Sequence, residues 1–416
     1  MSLQGVDQIS LDTYDDVRSA LSNKDLTRSL DVDLYEVGNV TEGTLSVLHG
    51  GAHRDRRRVE NQLFRRATLE SYERVLFPDI VSSTLVSFVD ERISDLVEIG
   101  SLLTVVLASR TAGVDFDQAS LEQRQKLREY LHIFSVGNAI EAAKGDIEEI
   151  KSRMRVTLGA FNEEFVAASW SRREQLLDEV ESGRAEESVL PSDVLTTLLR
   201  ARRAGETDMD DAQLLREVAK FFIAGAHTST QTLTNTFHLL FSWCRTHPED
   251  WALLAEDLSF VQRSVQEALR CRPTNPRIHR RAAAGTTVGS RRVPEGTVLI
   301  LQTAAANADT SAYGPDAGEF NPHRRAPKDL APWGMSFGHG MHLCIGRTLS
   351  VGMPVRSDDS SPGQEHLYGL VPQAVQALVR RGIQPDPDKP PQQDTQTERW
   401  TRWARYPVIF EPALAR

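Results

Sequence analysis

The spacing of apolar residues predicts a mainly α-helical protein with small β-sheets. Residues 9–30 have the pattern of a short strand followed by a helix, and residues 69–177 repeat apolar positions at helical spacing. A helix over residues 191–204 has Ser192 as its predicted N-cap. Another helix begins at about residue 210 and stays apolar over several turns. Short apolar stretches between Gly and Pro turns predict strands within residues 277–309, with Val298 in a covered strand.

Composition is typical of a globular protein. Hydrophobic residues make up 40% and charged residues 25% of the 416 residues, and the net charge of −10 argues against nucleic-acid binding. Three scattered cysteines argue against a disulfide framework and predict a reducing, cytoplasmic location. We expect neither a signal peptide nor a membrane span, because no apolar run reaches about 18 residues.

One stretch combines a cysteine with several glycines. It reads FGHGMHLCIG at residues 337–346, where Gly338 and Gly340 let the backbone turn tightly and approach a flat ligand. The residues after Cys344 predict a helix, so the sulfur would lie near a helix N-terminus, which favours the thiolate. A thiolate suits a soft or borderline metal, and heme iron is one candidate. The alternative is a buried structural cysteine, which is also the interpretation for Cys244 and Cys271.

A second informative stretch lies within the long predicted helix. AGAHTS at residues 224–229 interrupts an apolar run, and polar groups in mid-helix either pack against polar partners or line a site. The hydroxyl of Thr228 can also donate to the carbonyl four residues earlier, which would make its role purely local.

The cysteine stretch resembles the heme-binding loop of cytochrome P-450 monooxygenases, whose pattern is FGxGxHxCxG. Every fixed position is met, by Phe337, Gly338, Gly340, His342, Cys344 and Gly346. AGAHTS is similar to the family's central helix motif, QEALRC to its ExxR motif, and HRDRR to its HxxxR helix. The resemblance implies one cytochrome P-450 domain over residues 1–416, mainly α with small β-sheets, with heme b buried between the long central helix and the cysteine loop.

The resemblance also implies roles for individual residues. Cys344 would ligate the heme iron, Thr228 would face bound oxygen, and His227 or water would supply protons. The residues that would bind the heme are His53, Arg57, Ala224, Gly225, Arg280, Phe337, Gly338, His342 and Gly346. Arg281 is the alternative to Arg280 as the partner of a heme propionate.

The resemblance implies a third group of residues, whose role is structural. In the family the ExxR pair is buried and joined by an arginine from a later segment. Glu267 and Arg270 match the pair, and Arg324 in FNPHR matches the later arginine. These residues would hold the fold under the heme and take no part in chemistry.

The sequence departs from the family in three places. His227 stands where the family usually has a carboxylic acid, and it could relay protons, bind substrate, mark an atypical reaction, or bond a neighbouring helix. The segment before the first helix is short. After the cysteine loop, Pro354 and RSDDSSPGQE interrupt the usual helix, which predicts an inserted surface loop at about residues 352–364.

The implied activity is activation of O2 to hydroxylate or otherwise oxidise a small, largely apolar molecule, in secondary metabolism or catabolism. A soluble bacterial member of the family would take electrons from a ferredoxin and a ferredoxin reductase. The predicted docking patch for that partner contains Arg65, Arg66, Arg325 and Arg347. The alternatives are a peroxide-driven member of the family and a non-catalytic helper protein with the same fold.

Overall fold

The fold consists of helices around several small sheets, as the apolar spacing predicts. The structure, a computed structural model, describes residues 7–28, 40–91, 94–137, 145–354, 363, 365–395 and 402–410. The helices are α1 (Tyr14–Ser22), α2 (Gly50–Glu60), α3 (Arg66–Ser71), α4 (Phe77–Glu91), α5 (Leu96–Ala112), α6 (Leu121–Gly137), α7 (Ile147–Phe161), α8 (Ala167–Glu181), α9 (Val194–Arg203), α10 (Asp211–Trp243), α11 (Glu249–Glu256), α12 (Leu258–Cys271), α13 (Thr303–Asn307), α14 (Thr310–Tyr313), α15 (Arg347–Val351) and α16 (Leu370–Arg380). The strands are β1 (Gln8–Leu11), β2 (Leu26–Thr27), β3 (Ile278–Ala282), β4 (Thr286–Val288), β5 (Arg291–Val293), β6 (Val298–Leu301), β7 (Ile383–Pro385), β8 (Gln392–Gln393), β9 (Trp403–Arg405) and β10 (Val408–Phe410).

The central element is α10, a helix of 33 residues that begins at a capping box. The carboxylate of Asp210 accepts from the Gln213 amide while the Gln213 side chain accepts from the Asp210 amide. α10 packs along α5, which is apolar and buried nearly all round, as a helix in the interior must be. Among the described residues, no helix is long and apolar enough to cross a membrane.

The first strand belongs to the largest sheet, in which the strand order is β1-β6-β3-β2. β1 is parallel to β6, with Leu11 opposite Leu301, and β6 is antiparallel to β3, with Leu299 opposite Arg280. The predicted strand and helix near the N-terminus and the covered strand at Val298 are therefore confirmed. This sheet fixes the backbone of Arg280, one of the predicted heme-binding residues.

The predicted cap of α9 is wrong by one residue. The N-cap is Asp193, whose carboxylate accepts from the Thr196 amide at 2.7 Å. Asp193 is buried and also receives hydrogen bonds from Arg173, so the stronger acceptor takes the capping position. The Ser192 carbonyl instead accepts from the hydroxyl of Tyr72.

The helix after the cysteine loop is interrupted, as predicted. α15 ends at Val351, before Gly352 with a φ of 73°, and α16 begins after Gly369 with a φ of 82°. The Met353 amide donates to the Leu367 carbonyl at 2.8 Å, so the chain leaves and returns at one point. Gln262 of α12 donates to carbonyls on both sides of this point. The predicted loop at about residues 352–364 lies mostly outside the described residues.

Candidate active site

The cysteine loop is held by its own backbone and by contact with α1. The Cys344 amide donates to the Phe337 carbonyl at 2.9 Å, and Gly338 and Gly340 have φ angles of 71° and 65°. A Cβ on Gly340 would come within 2.6 Å of the Leu21 carbonyl, so only glycine fits there. The loop is therefore a rigid support for the Cys344 sulfur.

The environment of the Cys344 thiol has two opposing effects on its pKa. Burial raises the pKa, whereas hydrogen bonds from the Gly346 and Arg347 amides and the positive charge of Arg57 lower it. Burial is the larger effect, so the pKa of Cys344 is raised on balance, although the amides at the start of α15 favour the thiolate as predicted. The amides at the sulfur are still suited to a thiolate, which a bound metal ion would create by displacing the proton.

Several basic side chains converge beside the loop. The rings of His53 and His342 meet edge to face with centroids 4.6 Å apart, and the His49 ring lies 6.2 Å from that of His342. Burial, with the nearby charges of Arg28 and Arg280, lowers the pKa of His342 to about 2. Burial likewise lowers the pKa of His53 to about 4. The buried Nε2 of His342 has no hydrogen-bond partner among the described residues. A buried cluster of nitrogen donors next to two arginines suits an anion, which can accept their hydrogen bonds.

The two arginines predicted to bind a heme lie in this region. Arg57 donates from a guanidinium nitrogen to the Leu343 carbonyl at 2.8 Å, which joins α2 to the cysteine loop. Arg280 is buried on β3 and acts electrostatically on His342. The structure therefore brings His53, Arg57, Arg280 and His342 together, although they come from three distant parts of the sequence.

The middle of α10 borders open space. Ala224 is exposed although Ile223 and Ala226 beside it are buried, and Thr228 lies one turn further along the same side. The Thr228 hydroxyl donates to the Ala224 carbonyl at 2.7 Å. A Cβ on Gly225 would instead touch Ala108 of α5 at 3.5 Å, so this glycine faces α5. The heme-binding roles of Ala224 and Gly225 stay predictions.

The predicted charge cluster is present. Glu267 binds Arg270 through two nitrogen–oxygen contacts of 2.7 Å, and Arg324 donates to Glu267 at 3.0 Å. Arg270 is fully buried and also donates to the backbone carbonyls of Asn307, Ala317 and Glu319. The cluster ties α12 to the segment that precedes the cysteine loop, which confirms Arg324 as its third member.

The comparisons with known proteins agree on one family. The chain matches the family described as "Cytochrome P450" over residues 1–249 and 250–352. Cyclooctat-9-en-7-ol 5-monooxygenase from Streptomyces melanosporofaciens is 29% identical over 74% of this chain and 69% of its own length. Putative cytochrome P-450 YjiB from Bacillus subtilis (strain 168) is 24% identical over 81% of this chain and 76% of its own.

Solved structures show the same fold. HmtT, involved in himastatin biosynthesis, superimposes with a TM-score of 0.71 at 19% identity, covering 96% of this chain and 91% of HmtT. A mutant of EryK in complex with erythromycin B gives 0.69 at 20% identity, covering 98% and 92%. The chain belongs to the cytochrome P-450 family and is an oxidoreductase of the monooxygenase type.

The donors in the site fit the group that this family carries. Heme offers an iron for a cysteine sulfur and two carboxylates for basic side chains, and both kinds of partner are present. The Nε2 of His342, which has no hydrogen-bond partner in the described part of the chain, lies in the basic cluster. Apart from Gly346 and its chain neighbours, no atom of the described residues lies within 4 Å of the position that a Cβ on Gly346 would take, so the loop borders open space as Ala224 does.

Some residues of the site escaped the sequence analysis. His49 and Arg28 join the basic cluster, and His49 lies four residues before His53, a helical spacing that could have indicated it. Glu60 of α2 and Glu217 of α10 form a buried acidic pair. No local pattern indicates that pair, because its members are far apart in sequence.

Proposed function

We propose that this protein is a heme-thiolate monooxygenase that inserts one oxygen atom of O2 into a small, largely apolar organic molecule. The observation that carries the proposal is the half-buried Cys344, whose sulfur accepts from two backbone amides in a glycine-braced loop beside a basic cluster. Relatives named erythromycin C-12 hydroxylase and cyclooctat-9-en-7-ol 5-monooxygenase favour a natural product as substrate. Hydroxylation is the expected reaction, and other oxidations remain open to the same site.

Each part of the proposed site has a distinct task. Cys344 would hold the iron of heme b, and His53, Arg57, Arg280 and His342 would hold its carboxylates. The remaining predicted contacts to the porphyrin are Ala224, Gly225, Phe337, Gly338 and Gly346. When bound, the heme supplies the redox chemistry that activates O2.

The proposal is tested by the absorbance spectrum of the purified protein, reduced and exposed to carbon monoxide. A strongly red-shifted Soret band supports thiolate ligation by Cys344, and an ordinary Soret band argues for another ligand. Turnover with peroxide alone, compared with turnover on ferredoxin and its reductase, distinguishes the peroxide-driven alternative. Absence of heme from protein expressed with excess heme precursor would favour the helper protein.

Proton handling falls to His227 and Thr228 in this proposal. Thr228 donates to the Ala224 carbonyl, which leaves the lone pairs of its oxygen to accept a hydrogen bond. His227 is half-buried next to it in the chain. An imidazole can both take up and release a proton near neutral pH, so His227 would replace the usual acid.

We expect His227→Ala to lower kcat by about 10²-fold, the usual scale for loss of a general acid–base group. His227→Glu should restore part of kcat and move the pH dependence of turnover to lower pH, because a carboxyl group titrates below imidazole. The measurement is kcat against pH, with a substrate found by its Soret shift. Equal kcat and equal pH profiles for the wild type and His227→Ala would contradict this role.

Electron donors of the ferredoxin type would dock near the cysteine loop. A surface groove of about 660 Å³ there is lined by Arg54 and Arg58 of α2, by Arg65 and by Met341. His53 and Arg57, which this proposal assigns to the heme carboxylates, lie at the same groove. Of the predicted patch, Arg65 lies in this groove, and Arg66 is paired with Glu70 and Glu365. The groove therefore concentrates positive charge in an otherwise acidic protein and suits an acidic partner.

Reversing two charges of the groove, Arg54→Glu with Arg58→Glu, should slow association with the ferredoxin about tenfold at low salt. The association rate of this double variant should also depend less on ionic strength than that of the wild type. The measurement is the rate of heme reduction by reduced ferredoxin over a salt series. The matched control is Arg291→Glu with Arg292→Glu on exposed β5. An equal loss in both double variants would contradict docking at the groove.

We also propose that the chain forms one domain with an interrupted helix after the cysteine loop. The cytoplasm is the proposed compartment, since all three cysteines are free thiols, as a reducing environment favours.

A further inference from the structure

The joint between α15 and α16 is tightly packed. Gly352 and Gly369 lie on either side of it, and both have positive φ angles that favour glycine. A Cβ on Gly352 would overlap the Leu367 carbonyl oxygen, and a Cβ on Gly369 would come within 2.5 Å of the Gly352 nitrogen. The two glycines therefore bring the ends of the interrupted helix into direct contact.

Two buried glutamines of α12 supply hydrogen-bond donors to this joint. Gln262 and Gln266 are 0% and 1% exposed. Nε2 of Gln262 lies 2.8 to 3.4 Å from four backbone carbonyl oxygens, those of Val351, Met353, Leu367 and Tyr368. Nε2 of Gln266 lies 3.2 and 3.3 Å from two of the same oxygens, those of Val351 and Met353. Since each amide group carries two N–H donors, the two side chains together match the four carbonyls.

Other polar groups at the joint are also paired. The side-chain oxygen of Gln262 can only accept, and it lies 2.7 Å from Nε2 of His366, so the imidazole donates there. The carboxylate of Glu73 accepts from the Tyr368 and Gly369 amides at 2.9 and 3.0 Å, next to the N-terminus of α16. Removing the amide of Gln262 would therefore leave buried carbonyls without donors in a joint that is otherwise satisfied.

α15 connects this joint to the cysteine. It has only five residues, Arg347–Val351, and a single turn of helix is not stable by itself. At its N-terminal end, the Gly346 and Arg347 amides donate to the Cys344 sulfur. At its C-terminal end, the Val351 carbonyl accepts from both glutamines. The position of the two amides therefore depends on how firmly the other end of α15 is held.

We propose that Gln262 is a positioning residue for the Cys344 sulfur: by fixing the C-terminal end of α15, it keeps the Gly346 and Arg347 amides in hydrogen-bonding position. In an unbroken helix the backbone itself would provide this support, so the interruption makes the buried amide necessary. The effect on a bound heme rests on the proposed function, whereas the support of the two amides does not.

Hydrogen bonds to a ligating sulfur affect the iron that it binds. They withdraw negative charge from the thiolate, and they are among the factors that set the reduction potential of an iron site. A thiolate that loses them donates more strongly to ferric iron, which shifts the potential to more negative values. Loss of the support should therefore be measurable in the potential and not only in stability.

Gln262→Met tests the proposal, because methionine keeps the length of the side chain but removes both N–H donors. In the heme-loaded protein, we expect hydrogen exchange at the Gly346 and Arg347 amides to accelerate about tenfold, the scale for loss of one hydrogen bond. The reduction potential of the heme should shift to more negative values. The amide of Leu299 in β6 is the internal control, and its exchange rate should stay the same.

Gln376→Met is the matched control on α16. Gln376 is buried, and its Nε2 has no hydrogen-bond partner among the described residues. This variant should leave the potential and the exchange of both amides unchanged, and an effect equal to that of Gln262→Met would overturn the proposal. A Gln262→Met protein that loses only stability in urea, with unchanged potential and exchange, would give Gln262 a purely structural role and also overturn it.

Gln266→Met covers the case in which Gln262→Met does not fold. It removes the longer contacts to the Val351 and Met353 carbonyls, so the same changes should appear at smaller size. Unchanged exchange and potential in this variant would then overturn the proposal. Absence of a red-shifted Soret band in the wild type would instead count against the proposed heme site, and the exchange comparison would still decide whether Gln262 holds the two amides.

Discussion

Replacing Cys344 with alanine is expected to abolish the red-shifted Soret band of the reduced carbon monoxide complex. The side chain is the only thiol in the cysteine loop, and the Gly346 and Arg347 amides that point at it cannot bind iron. Loss of a metal ligand should weaken iron binding by more than the roughly 10–100-fold that losing an outer hydrogen bond to such a ligand costs. Turnover supported by ferredoxin should disappear with the band.

Cys244 provides a matched control. Cys244 follows α10, and burial raises the pKa of its thiol to about 12, so it stays protonated. Cys244→Ala should therefore leave both the spectrum and turnover unchanged. Circular dichroism separates loss of the ligand from loss of the fold. A Cys344→Ala protein that keeps its color, its spectrum and its turnover would remove the basis of the proposed function.

The second large effect concerns stability. Glu267→Gln should lower the free energy of unfolding by about 3–5 kcal/mol, because it leaves the buried Arg270 without its counter-charge and removes one of the two acidic partners of Arg324. Arg270 is fully buried, and Arg324 keeps only Asp316 as an acidic partner among the described residues. Urea unfolding monitored by circular dichroism measures the change, and heme content should fall with it, since the cluster supports the segment before the cysteine loop.

Glu174→Gln is the control with the same chemistry at the surface. Glu174 contacts Arg202 and Arg203 at the surface, with 29% of its side chain exposed, so its loss should cost at most about 1 kcal/mol. A similar small cost for Glu267→Gln would show that the buried cluster does not stabilise the fold as described.

The parts of the site that follow from short motifs could be predicted from the sequence. The glycines around Cys344 dictate the loop, and the order of the motifs anticipates the meeting of Glu267, Arg270 and Arg324. The strand near the N-terminus could also be predicted, because the apolar spacing and the turn residues indicate the same element. For the loop and the strand a local pattern contains the information, whereas the meeting of Glu267, Arg270 and Arg324 is implied by the resemblance to the cytochrome P-450 motifs.

Other parts depend on tertiary contacts that no local pattern encodes. Glu60 and Glu217 lie on different helices, and each looks like an ordinary surface acid in the sequence. The net pKa of Cys344 depends on burial, which a helix N-terminus does not reveal. Ser192 and the adjacent Asp193 are both good cap residues, and the hydrogen bonds from the buried Arg173 that favour Asp193 arise only from the tertiary fold.

Because the helix after the cysteine loop is interrupted, the number of residues between α15 and α16 can vary. Because Met353 and Leu367 are joined by a backbone hydrogen bond, residues added or removed between them do not shift the register of α16. The entropy of closing such an excursion grows only slowly with its length. Changes of chain length between Met353 and Leu367 therefore leave the packing of the helices on either side undisturbed.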